Sequence, residues 1–309
     1  MTHVAPLPTE LPAGTRLSRW HAGDGWDHRR FDSGDGRRGR VLILGGRADV
    51  IEKYADVVGH LNARGWGVTS FEWRGQGGSG RLVAGDVGHV ERFDGWEDDL
   101  AAFWTMWRDE GAGPLVILAH SMGAHIVLRA LAAGRISPDA VVLNAPMVQV
   151  RSPLGQVVGG RVARWMCATG AAKRAAWRLS DEPAAVNRRL RRLTVDSSRG
   201  QDVRWWEADA SLRLGAPSWG WLAEAFRSGA ALRADPRLDA VPVPVLFLVP
   251  EHDRLVDARA ALAVAARMPA AEVVRFGAEA GHEVLREGLA VRERAFDAID
   301  RFLDRKALG

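Results

Sequence analysis

The 309-residue chain is long enough for one large domain or two smaller ones around a substantial core. Its 47% hydrophobic and 26% charged residues exclude a disordered or fibrous chain, and a single cysteine, Cys167, excludes an internal disulfide, a CxxC redox motif and a thiolate metal cluster. The net charge of +4 is unevenly placed: residues 151–238 carry 16 Lys and Arg against 8 Asp and Glu, a net +8, and the remainder, 26 against 30, nets −4.

In chain order, Met1 to Arg16 lacks the basic start and apolar run of a signal peptide, and no stretch reaches about 18 apolar residues. A cytoplasmic protein is expected, and one that binds no nucleic acid, since no such signature occurs. Arg40 to Leu44 reads as a buried strand ending in Gly45-Gly46. Ile51, Tyr54, Ala55, Val58 and Leu61 recur at helical spacing, with Gly65 placed as a C-cap. A strand is predicted over Gly67 to Trp73. Asp94 and Glu97 resemble a capping box before a helix carrying Leu100, Phe103, Trp104 and Trp107. Leu115 to Leu118 is a strand by composition, Met122 to Ala133 a helix, and Ala140 to Leu143 a further strand.

Strand signals then cease until Val243 to Val249, and residues 148–238 are rich in Arg, Ala and Trp with helix-like runs. They read as a helical cap inserted into a core made of residues 1–147 and 239–309. A helix near Ala258 to Arg267, a strand near Glu272 to Phe276 and a closing helix with Val291, Ala295, Phe296, Ile299 and Phe302 on one face complete the chain. Alternation of this kind implies an α/β fold, a mostly parallel sheet with helices on both faces.

Ala119-His120-Ser121-Met122-Gly123 lies between a predicted strand and a predicted helix, the setting of a nucleophile elbow. Small residues two before and two after Ser121 let the backbone turn sharply; Ala119 stands where glycine is usual. The plainer alternative is that Ser121 merely caps the helix. Asp253 follows an apolar strand, in a loop at the sheet's carboxyl edge where such sites collect, and is preferred as the acid over Glu251 and Asp257 of the same loop, the latter fitting a helix cap. His282, approached through Gly277 to Gly281, is the sole histidine after Asp253. A serine hydroxyl needs an imidazole to take its proton and a carboxylate to fix the tautomer, and the chain order Ser, acid, His suits that machine.

The oxyanion donors are expected to be the backbone N–H groups of Met122 and Arg47, with the Arg47 side chain left free. Gly75 to Gly80 matches GxGxxG but no helix follows it, so a structural turn is expected and no NAD site. His120 and His125 are five apart, and neither HExxH nor HxH occurs, so no metal is expected.

Five stretches, Gly45-Gly46-Arg47 with Lys53-Tyr54-Ala55, Arg74 to Gly80, Gly88-His89-Val90 leading to Asp99-Leu100, Ala119 to Gly123 and Gly281-His282-Glu283, resemble the bacterial lysophospholipases and monoacylglycerol lipases of the α/β-hydrolase superfamily. Arg213 to Ser218 followed by Trp221 extends the likeness into the cap. Two departures are Gly45-Gly46 in place of His-Gly, and Ala124-His125 where a second glycine is common. The resemblance implies a cofactor-free serine hydrolase acting on small-molecule esters or lysolipids through Ser121, Asp253 and His282, with Gly46, His120, Trp219 and Trp221 as candidate substrate contacts. The basic cap with Trp165, Trp177, Trp205, Trp206, Trp219 and Trp221 suggests contact with an anionic membrane at the inner face, or else a solvated face over packed aromatics. Acyltransferase, perhydrolase, aminopeptidase and non-catalytic ligand-binding readings share the fold.

Overall fold

Strands buried on both faces must be apolar almost throughout, and their alternate side chains then feed two separate cores. The computed structural model, which describes residues 11–196, 205 and 209–307, contains eight such or edge strands: β1 (Arg16–His21), β2 (Asp27–Ser33), β3 (Gly39–Leu44), β4 (Trp66–Phe71), β5 (Leu115–His120), β6 (Ala140–Asn144), β7 (Val245–Pro250) and β8 (Ala271–Phe276). They form one sheet in the order β1-β2-β4-β3-β5-β6-β7-β8. From β4 to β8 all neighbours are parallel, and β1 and β2 add an antiparallel edge.

The described α-helices are α1 (Ala55–Ala63), α2 (Asp94–Trp107), α3 (Met122–Ala132), α4 (Gly155–Met166), α5 (Pro183–Leu193), α6 (Trp219–Ala234), α7 (Ala258–Ala265) and α8 (Leu289–Lys306). One face of the sheet sends Val41, Ile43, Val116, Leu118, Leu246 and Leu248 against Val58 and Leu61 of α1 and the Val291–Ala295–Phe296–Ile299–Phe302 stripe of α8. The other face sends Leu42, Leu44, Ile117, Leu143 and Phe247 against α2, α3 and α7. Helices α4, α5 and α6 lie in the stretch between β6 and β7, where the described residues contribute no strand to the sheet.

Three expectations from the sequence need correction. Asp94 does not cap α2: it is the first helical residue and its carboxylate is held by Arg92 and Arg129, the N-cap position is Phe93 with no side-chain cap, and the Phe93 N–H donates to Glu224 Oε1 at 2.9 Å. The helix predicted from Ile51 starts as a 3₁₀ turn (Ile51–Tyr54), whose first N–H, of Ile51, donates to the buried Glu72 carboxylate at 3.0 Å. The β4 strand stops at Phe71, and Trp73 beyond it donates its indole N–H to Gly45 O at 2.8 Å. The hairpin β1–β2 was not foreseen at all.

The GxGxxG stretch is a turn. Gly75, Gly77 and Gly80 have positive φ (81°, 49° and 76°), the Gly78 N–H donates to Glu72 Oε2 at 2.5 Å, and the next helix starts only at Asp94. That helix is too distant in the chain to offer its amino terminus to a pyrophosphate, as a dinucleotide site requires.

Candidate active site

Ser121 sits between β5 and α3 with φ 51° and ψ −111°, a backbone conformation that an L-residue adopts only when its surroundings enforce it. The enforcement is visible. Its N–H donates to Asn144 O at 3.0 Å, and its carbonyl accepts from His125 N and Met147 N. Gly123 lies so close to the β3 end that an added Cβ would fall 2.5 Å from Gly45 O and 2.6 Å from Leu44 O, so glycine is required there. At Ala119, packed into the core beneath the turn, a methyl group is accommodated.

The three residues foreseen as a relay meet. Ser121 Oγ lies 2.9 Å from His282 Nε2, and His282 Nδ1 lies 2.6 Å from Asp253 Oδ2. Asp253 Oδ1 accepts from Leu255 N (2.7 Å) and Val256 N (3.1 Å). Burial alone would raise the Asp253 carboxyl, but the His282 charge and these hydrogen bonds outweigh it and the net shift is downward. An ionised carboxylate only accepts, so Nδ1 carries the imidazole proton and Nε2 is left to accept from the serine hydroxyl. Of the rival carboxylates, Asp257 accepts from Arg259 N as the cap of α7, and Glu251 is exposed beside Arg275.

For His282, burial opposes the charged form, yet the charge and hydrogen bond of Asp253, with Glu283 adding, carry the net shift above the ordinary 6.5. A base works only when neutral. The acid limb of kcat/KM on a soluble ester is therefore expected to lie above that value, with activity rising as pH increases through it; a pH–rate profile measures this, and an inflection at or below 6.5 would contradict it. The neighbouring His120 ring, 4.8 Å away centroid to centroid, is pushed down to about 4 by burial and by the His282 charge, so it stays neutral and does not repel an imidazolium.

The loop after β3 is braced on both sides of Arg47. The Gly46 N–H donates to Asp49 Oδ2 at 2.5 Å, and the Ala48 N–H donates to Gln76 Oε1 at 2.7 Å. Among the described residues the Arg47 and Met122 N–H groups have no protein acceptor. Gly46 is pressed against the serine, since a Cβ there would lie 3.1 Å from Ser121 Cβ.

The Arg47 side chain is not free, contrary to the sequence expectation. Its guanidinium donates to Gly215 O and lies 5.6 Å from the centroid of the Trp221 ring, and burial brings it down to about 10. Of the other candidates, Trp221 is buried and Trp219 half-buried at the start of α6; Trp205 is buried, Trp165 and Trp177 are exposed, and Trp206 lies outside the described residues.

Sequence reasoning missed a buried ionic chain under the site. Lys53 Nζ reaches Asp49 Oδ1 and Glu283 Oε1, each at 2.5 Å, and Arg286 holds Glu283 Oε2 at 2.6 Å. Burial would raise Glu283, but Lys53 and Arg286 bring it to about 2. Asp49 also accepts from the Tyr54 hydroxyl at 2.6 Å. The one available signal was Asp49 and Lys53 four apart at the start of an apolar helical run.

A mostly parallel sheet that gathers serine, histidine and aspartate at its carboxyl edge, with the Gly46 turn packed against the serine, defines an α/β-hydrolase of the serine hydrolase class. A sequence profile of the family described as serine aminopeptidase, S33, matches residues 35–288, and the chain belongs to that family. It is 33% identical to "Lysophospholipase L2" of Escherichia coli strain K12 over 290 residues, covering 86% of this chain and 80% of that one. Its fold is similar to a soluble variant of monoglyceride lipase from Saccharomyces cerevisiae bound to a substrate analog (TM-score 0.76, 18% identity, 97% of this chain and 100% of that one). It also matches the monoacylglycerol lipase of Paleococcus ferrophilus (TM-score 0.70, 18% identity, 90% and 98% covered).

Proposed function

We propose that the chain hydrolyses carboxylic esters of the lysophospholipid or monoacylglycerol type through an acyl-enzyme on Ser121. The observation that carries the reading is the continuous Ser121–His282–Asp253 hydrogen-bonded chain, and the 33% identity to a lysophospholipase supports the substrate class. His282 Nε2 takes the hydroxyl proton as Ser121 Oγ attacks the ester carbonyl. The resulting oxyanion is held by the Arg47 and Met122 N–H groups, which have no protein acceptor to relinquish. Collapse breaks the bond to the alcohol, which leaves with the proton from His282. Water, deprotonated by the same nitrogen, then releases the fatty acid.

In this reading residues 1–147 and 239–309 are the catalytic core and residues 148–238 a helical cap. Gly46, His120, Trp219 and Trp221 border the substrate, and the protein works in the cytoplasm at an anionic membrane surface. The described residues between β6 and β7, whose regular elements are helices and which add no strand to the sheet, support the cap, and the lone Cys167 supports a reducing compartment. A fluorophosphonate probe tests the nucleophile: wild type is labelled and Ser121→Ala is not. A panel of lysophospholipids, monoacylglycerols, aryl esters and aminoacyl amides tests the substrate; preference for the amides would move the reading to an aminopeptidase.

Gln76 accepts from the Ala48 N–H, bracing the loop that carries the Arg47 N–H, and its amide lies 3.8 Å from Met122 Sδ, so it positions the first donor and packs against the side chain of the residue that supplies the second. Gln76→Leu is expected to lower kcat by about 10- to 100-fold with KM little changed, since small misplacements at a reacting centre cost that much. Steady-state kinetics on a soluble ester decides; a KM effect alone would place Gln76 in binding instead.

A further inference from the structure

Helix α4 is built inside out. The residues it turns to the protein are small: Gly159, Gly160 and Ala163 are buried against α6, and a Cβ on Gly159 would lie 2.8 Å from Phe226 Cζ and 2.7 Å from Ser152 Oγ. The residues it turns to solvent are large and apolar, with Leu154 55%, Val157 65%, Val158 50% and Trp165 64% exposed. At 100° per residue, Leu154, Val157, Val158, Arg161 and Trp165 fall within an arc of about 100°, opposite the glycines. Steric closeness at Gly159 fixes this orientation, so the helix cannot roll its apolar face inward.

The surroundings of that face are one-signed. From Arg151 to Ser180 the chain has six Lys and Arg and no Asp or Glu. Arg161, Arg164, Lys173, Arg174 and Arg178 are all exposed, and among the described residues none of them pairs with a carboxylate. Elsewhere arginines such as Arg29, Arg30, Arg74, Arg129 and Arg267 are tied to carboxylates. Apolar side chains flanked by unpaired cations match an interface whose outer layer is anionic and whose interior is hydrocarbon. A second copy of the chain docking on the same face would bring like charges together.

We propose that the outward face of α4, Leu154, Val157, Val158 and Trp165 with Arg161 and Arg164, is the surface by which the protein docks onto an anionic phospholipid bilayer. The apolar side chains enter the acyl boundary while the guanidinium groups reach the phosphates. This gives the lipid-ester reading its substrate source and rests on that reading only there.

The test is co-sedimentation with vesicles of phosphatidylglycerol and phosphatidylcholine in one-to-three proportion, alongside hydrolysis of a soluble aryl ester. Wild type is expected to bind the mixed vesicles and release them as salt shortens the Debye length from about 10 Å to about 3 Å. The double variant Val157→Asp, Val158→Asp is expected to bind at least about 10-fold more weakly, with aryl ester turnover unchanged. Arg161→Gln with Arg164→Gln is expected to flatten the salt dependence. Equal binding to pure phosphatidylcholine, or unchanged binding by the valine variant, overturns the proposal. So does a dimer in sedimentation velocity that the valine variant dissociates, which would make a second copy the occupant, or a fall of several degrees in Tm, which would mean the face is covered within the chain. Failure of the aryl ester assay in wild type would instead count against the hydrolase reading and leave the docking result standing.

Discussion

Replacing Ser121 by alanine is expected to lower kcat by about 10⁶-fold and to abolish fluorophosphonate labelling, while Tm stays within a few degrees of wild type. The size follows from the serine, imidazole and carboxylate acting as one unit: without Oγ there is no covalent intermediate for His282 to serve. His282→Ala should cost nearly as much, and the double variant little more than either single one. Stability is preserved because the strained turn at φ 51° is enforced by the neighbours of residue 121, namely Asn144 O, Met147 N and the close packing of Gly123, rather than by the hydroxyl. Retained turnover, or intact labelling of the variant, would remove Ser121 as the nucleophile.

Asp253→Asn is expected to cost about 10⁴-fold in kcat, and geometry rather than charge alone sets that figure. Two backbone N–H groups, of Leu255 and Val256, point at Oδ1. In the variant the amide oxygen stays on these donors, which turns the NH₂ toward His282 Nδ1. The imidazole then accepts at Nδ1 and carries its proton at Nε2, where it faces Ser121 as a donor and can no longer take the hydroxyl proton. Loss of the carboxylate also removes the main influence that raises His282, so the acid limb of the residual activity should move to lower pH than in wild type. A residual profile with an unmoved limb would show that Asp253 does not govern the imidazole.

The central strands were readable from the sequence because burial on both faces leaves no polar alternation to confuse: RVLIL, LVIL and VPVLFLV each became a strand within two or three residues of the expected bounds. The hairpin β1–β2 was not, since its residues, RLSRWH and DHRRFDS, are mixed in polarity and satisfy their charges through tertiary pairs such as Arg30–Glu110 and Arg29–Glu72. The three residues of the candidate relay were readable because each stands at a strand end in a setting that few other roles require. The braces were not: Asp49, Lys53 and Glu283 belong together only in space, with 230 positions between the last two. The Arg47 side chain follows the same rule: its partners Gly215 and Trp221 stand in a recognisable stretch, but nothing in that stretch ties it to residue 47, which meets it only in space.

Both loops that flank the serine are fastened to the helical segment by main-chain atoms. Arg47 grips Gly215 O, Glu283 N donates to Leu193 O at 2.9 Å, and Glu287 receives Val195 N and Asp196 N at 2.8 and 3.2 Å. Transplanting that segment from a relative to alter acyl preference would thus retune the reaction rate as well, unless the carbonyl positions at 193 and 215 were matched to within a few tenths of an ångström. The hydrogen bonds at 193 and 215 tie the geometry beside the serine to a segment distant in sequence, and an exchange of that segment leaves the reaction rate alone only where those two carbonyls are preserved.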